Sequence, residues 1–83
     1  MHMTSRGAAG CRAALGPMSA AIRAERALLE MGILAEVVAL EPTETRRGCA
    51  FGIEFPCHEE ARVRATLRAA RITVSQYLKR GHT

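Results

Sequence analysis

Cys49-Ala50-Phe51-Gly52-Ile53-Glu54-Phe55 alternates large apolar residues with small or acidic ones, and the reading of this stretch decides the fold. Successive side chains of a β-strand point to opposite faces, so Cys49, Phe51, Ile53 and Phe55 make one apolar face and Ala50, Gly52 and Glu54 the other. The pattern predicts a strand with one face on a core and the other exposed or in an interface. Pro56 ends it. The stretch lies mid-chain, and helical patterning flanks it on both sides.

Upstream, Ser19 offers an N-cap hydroxyl ahead of Ala20, Ala21, Ile22, Ala24, Ala27, Leu28, Leu29 and Met31, and Gly32 stops the run. Ala21, Ala24, Leu28 and Met31 recur at helical spacing and are expected to face the core, with Arg23, Arg26 and Glu30 in water. Ile33 to Leu40 is largely apolar and β-branched, as a strand would be. Glu41-Pro42-Thr43-Glu44-Thr45-Arg46-Arg47-Gly48 is then a polar connecting loop. Downstream, a second helix is expected from about His58 to Ala70, with Glu59 and Glu60 in its first turn and Val63, Leu67 and Ala70 as its apolar stripe. Cys11 to Leu15, closed by the breaker pair Gly16-Pro17, and Ile72 to Leu78 complete the set as strands.

The order is therefore strand, helix, strand, strand, helix, strand. Its economical arrangement is α+β: a ferredoxin-like βαββαβ unit, with a four-stranded antiparallel sheet in spatial order 4-1-3-2 and two helices on one face. Residues 1–10 read as a flexible leader, 11–79 as a single domain and 80–83 as a polar tail. The second sheet face is left open, and Ala50, Gly52, Thr73, Ser75 and Tyr77 are expected on it, where small residues would suit pairing in a homo-oligomer.

Composition narrows the function classes. With 83 residues there is room for one small domain, and its only aromatic residues are Phe51, Phe55 and Tyr77, so Ala, Leu, Ile and Val must fill a thin core. A large enzyme with a deep multilayered site is not expected at this size. The net charge of +4, from 12 basic and 8 acidic residues, is too diffuse to indicate nucleic acid, and the exposed face of the central strand offers Ala50, Gly52 and Glu54 in place of the aromatic residues that stack bases. No apolar run approaches the roughly 18 residues of a membrane span, and nothing before Cys11 resembles a signal peptide, so the expectation is a soluble, cytoplasmic protein with no membrane partner. Phosphate-cradling and dinucleotide-binding glycine motifs are absent, and a Ser-His-Asp triad is impossible without Asp. Cys57-His58 is only a fragment of a metal site, so neither metal nor cofactor is expected.

Three cysteines remain as the chemistry-bearing residues. In the expected topology the third strand begins beside the start of the first helix, which brings Cys49 near Ser19. The positive helix end and the neighbouring Arg46 and Arg47 then favour thiolate over thiol. The competing reading makes Cys49 an inert buried residue in phase with Phe51, Ile53 and Phe55. Cys57 lies at the other end of the strand, roughly 20 Å or more from Cys49, too far to bridge. Cys11 falls at that same end, so a Cys11–Cys57 contact is geometrically open, with Glu59 and Glu60 opposing thiolate formation there.

Ala21-Ile22-Arg23-Ala24-Glu25-Arg26-Ala27-Leu28-Leu29-Glu30-Met31-Gly32-Ile33, the polar loop, Gly48-Cys49-Ala50-Phe51-Gly52-Ile53 and the closing strand to Tyr77 together resemble a small bacterial domain of unknown function named putative selenium/sulfur (Se/S) carrier protein-like. The resemblance covers roughly residues 11–79. Ala50 stands here where the family usually has Gly after the cysteine, and Arg46-Arg47-Gly48 stand where small hydroxyl residues usually precede it. What the resemblance implies is a non-enzymatic carrier: Cys49 would hold a persulfide or selenopersulfide and deliver it to a partner protein, supported by Ser19, Arg46, Arg47 and Gly48. The alternative is a non-catalytic module that dimerises or regulates by binding a small ligand.

Overall fold

Gly16-Pro17, a breaker pair in the sequence, is where the first strand turns into the first helix. The computed structural model describes residues 10–41 and 50–79. Its elements are β1 (Cys11–Gly16), α1 (Met18–Glu30), β2 (Glu36–Ala39), β3 (Phe51–Phe55), a 3-10 turn (Cys57–Glu59), α2 (Glu60–Ala69) and β4 (Gln76–Lys79). They form one antiparallel sheet in the order β2-β3-β1-β4, the expected order read from its other edge. The fold is α+β and ferredoxin-like.

The core explains why both helices lie on one face. Cys11, Ala13 and Leu15 of β1 and Ile53 and Phe55 of β3 point the same way, into a cluster with Ala21, Ala24 and Leu28 of α1 and Val63 and Leu67 of α2. Ala13, Ala21 and Ala24 are fully buried, so small side chains let α1 lie close to the sheet. Phe55, Leu28, Ile33, Ile53, Leu67 and Val63 supply the bulk, each worth about 1.5–3 kcal/mol of burial.

Helix ends depart from the sequence expectation in instructive ways. Ser19 does not cap α1: the cap is Pro17, in an extended conformation, and its carbonyl accepts hydrogen bonds from the N–H groups of Ala20 (3.1 Å) and Ala21 (3.2 Å). Gly16, at φ +113°, turns the chain, and proline's fixed φ suits a helix start better than its reputation as a breaker suggests. At the other end, Gly32 (φ +77°) donates to the carbonyl of Leu29 and Ile33 to that of Leu28, both at 2.9 Å, the paired bonds of a Schellman motif. Met31, expected in the core, is at the C-cap and 54% exposed. A guanidinium N–H of Arg62 on α2 donates to its carbonyl (2.8 Å), supplying the positive charge that the last turn of α1 lacks.

The helix expected from His58 begins instead with the 3-10 turn, and α2 proper starts at Glu60. Both strands expected directly after helices begin later. Ile33 and Ile72 are consumed in closing the helices, leaving β2 at Glu36–Ala39 and β4 at Gln76–Lys79. Before β4 the chain bends at Ser75, whose N–H (2.9 Å) and hydroxyl (3.1 Å) both reach the carbonyl of Ala14. That bend shifts the alternation by one. Tyr77, expected on the open face, therefore pairs with Ala13 and packs against the helix-side core.

The open face has its own structure. Glu36 pairs with Glu54, and Glu54 with Arg12, whose Nε lies 3.5 Å from the Glu54 carboxylate. Both side chains of that ion pair are more than four-fifths buried, at 15% and 11% exposure. Gly52 is buried there as well. A Cβ on it would collide with the carbonyl oxygen of Ala13 and press on Leu40 Cδ1 at 3.1 Å.

Candidate functional site

Two opposite corners of the sheet bear on the candidate residues. At the first, β1 runs out through a register shift between Ala14 and Gly16, and Gly16 pairs with Phe51, the first residue of β3. This bulge turns β1 toward Pro17 and α1. Ala50 is exposed at the same corner, its carbonyl accepting the N–H of Leu40 at 2.8 Å. Ser19 is exposed in the first turn of α1, which contains no acidic residue and no side-chain cap, so nothing within that turn offsets the positive helix end. Cys49, Arg46, Arg47 and Gly48 lie outside the described residues.

At the opposite corner, Cys11 and Cys57 are joined by a disulfide, with their Cα atoms 5.0 Å apart. The sequence left this contact open. Topology makes it: Cys11 pairs with Phe55, and Pro56 carries the chain directly to Cys57. The bond leaves Cys49 as the odd cysteine of three. Cys11 is 2% exposed, whereas Cys57 is only partly covered.

Beside the disulfide, a cleft of about 270 Å³ is lined by Cys11, Arg12, Phe55, Glu60, Arg64, Tyr77 and Leu78. Glu60 and Arg64, one helical turn apart, form an ion pair at 2.7 Å, and the Arg64 guanidinium lies 3.9 Å from the centre of the Tyr77 ring. Burial raises the Tyr77 pKa above its ordinary value; Arg64 opposes this, Glu60 adds to it and Arg68 opposes it. Sequence reasoning missed this cleft because it placed Tyr77 on the other face. The available signal was Ser75, a residue able to bend a strand and change its phase.

Among the described residues, no group of three or more His, Cys, Asp or Glu gathers to hold a metal ion, and no helix is long and apolar enough to cross a membrane. Residues 16–79 match the family described as "Putative Se/S carrier protein-like". The chain belongs to this family. No curated protein and no solved structure gives a match. Ser19 and the segment from Arg46 to Cys49 fall inside the part shared with the Se/S carrier protein-like family, as does Cys57, while Cys11 falls outside it.

Proposed function

We propose that this protein is a sulfur or selenium carrier that holds its cargo as a persulfide or selenopersulfide on Cys49 and delivers it to a partner protein. Membership of the Se/S carrier protein-like family is the observation that carries the reading. Two features of the fold support it. The residue after Cys49, Ala50, is exposed at the corner where α1 begins, and the first turn of α1 presents its positive end with no acidic residue to offset it. A thiolate is the nucleophile that takes up a chalcogen, and such a field, with Arg46 and Arg47 three and two residues before Cys49, favours it. Ser19 and Gly48 complete the supporting set. Loading then needs only that the Cys49 thiolate attack a polysulfide, take its terminal sulfur and expel the shortened polysulfide.

The reading places the carrier in the cytoplasm and requires no cofactor, membrane or nucleic acid. Intact-mass spectrometry after treatment with a polysulfide tests it. Wild type is expected to gain sulfur that Cys49→Ser does not, and an adduct retained in full by the variant contradicts it.

A dimerising or regulatory module is the second reading, favoured by the exposed apolar residues of α1. Met18, Ile22 and Leu29 lie on one face of that helix, and Leu34 beyond it is 75% exposed. A dimeric mass in sedimentation, abolished by Ile22→Glu, together with an inert Cys49 would favour this reading over the carrier.

A further inference from the structure

We propose that the Cys11–Cys57 disulfide is itself a reactive site: hydrosulfide opens it, leaving a persulfide on Cys57 and a thiol on Cys11. This goes beyond the Cys49 reading, since it concerns different sulfurs and includes a residue, Cys11, outside the matched part of the chain.

Two observations carry it. The two residues are unequal, because Cys11 is 2% exposed while Cys57, opening the 3-10 turn, is only partly covered. An incoming nucleophile therefore meets Cys57. Next, Cys11 borders the cleft of about 270 Å³ that lies beside the bond. Because Cys57 still packs partly against the core, a small nucleophile reaches it more readily than the thiol of a bulky protein. Hydrosulfide is the smallest of its class.

The step balances without any other reagent. The sulfur of HS⁻ bonds to Cys57 Sγ as the Cys57–Cys11 S–S bond breaks. Its electron pair goes to Cys11 Sγ, which takes up a proton. The disulfide is the oxidant and hydrosulfide the reductant, and the extra sulfur ends as Cys57–S–SH.

The test treats oxidised wild type and Cys49→Ser with sodium hydrosulfide in the absence of air, alkylates, and maps the cysteine peptides by mass. In both proteins the Cys57 peptide is expected to gain the mass of one sulfur while Cys11 becomes alkylated as a thiol. Cys11→Ser, which has no bond to open, should show no gain at Cys57. An unchanged disulfide in wild type, or the added sulfur on Cys11, overturns the proposal. Since hydrosulfide reads the disulfide and polysulfide reads Cys49, either can fail while the other stands.

Discussion

Gly52 sits where a methyl group has no room. A Cβ there would meet the backbone of Ala13, which cannot swing aside as a flexible side chain can, so Gly52→Ala is expected to cost about 3 kcal/mol in denaturant unfolding. A loss below about 1 kcal/mol would contradict this close approach. Tyr77 offers a second test at this scale. Because burial raises its pKa from 10.0, folding favours the protonated phenol, and that contribution is complete below the unfolded value and lost as pH rises through the folded one. As Tyr77 is the one tyrosine in the chain, ultraviolet titration reads it directly, with a midpoint expected above 10.0 and returning toward it on unfolding. Tyr77→Phe should flatten the alkaline fall in stability. The sequence made the apolar phase of Phe51, Ile53 and Phe55 legible, because period-2 alternation is a local signal. It concealed the position of Tyr77, because one bend at Ser75 reverses every side chain after it.

At the scale of elements, both helices end alike with different residues at the left-handed position. After α1 it is Gly32; after α2 it is Arg71, at φ +61°, with Arg71 donating to Arg68 (3.0 Å) and Ile72 to Leu67 (2.9 Å). A left-handed conformation strains any residue with a Cβ, and glycine removes the strain at some cost in unfolded-chain entropy. Arg71→Gly should therefore stabilise the fold by about 0.5–1 kcal/mol, read as a raised melting temperature. A lowered melting temperature would mean that the guanidinium of Arg71 contributes more than the strain costs. Helix α1 and its glycine stop were readable because a long periodic run and a Gly terminus are strong signals. The apolar stripe also placed the end of α2 at Ala70, its C-cap, but nothing in Arg71-Ile72 announces the left-handed turn that follows, and the strands after both helices were drawn too long. The start of α1 was misassigned for a similar reason: Ser19 is a good cap by type, but Pro17 already terminates the extended chain.

For the whole molecule, a thin core is closed by one covalent link. Cys11 and Cys57 are 46 residues apart, and joining them withdraws loop-closure entropy from the unfolded chain worth about 4 kcal/mol. Cys11→Ala combined with Cys57→Ala should lose up to that amount in denaturant unfolding, whereas an unchanged midpoint would show the bond to be stabilisingly idle. The topology was recoverable from element order alone, and so was the adjacency of Cys11 and Cys57. Bonding between them was not, because proximity in a sheet does not determine redox state. The proposed carrier role requires Cys49 to be held as a reactive thiolate. With Cys11 and Cys57 joined, the rate of alkylation against pH in the oxidised protein reports on Cys49: a midpoint well below the ordinary thiol value of about 8.5 is expected, and a midpoint at or above it would rule out an activated thiolate.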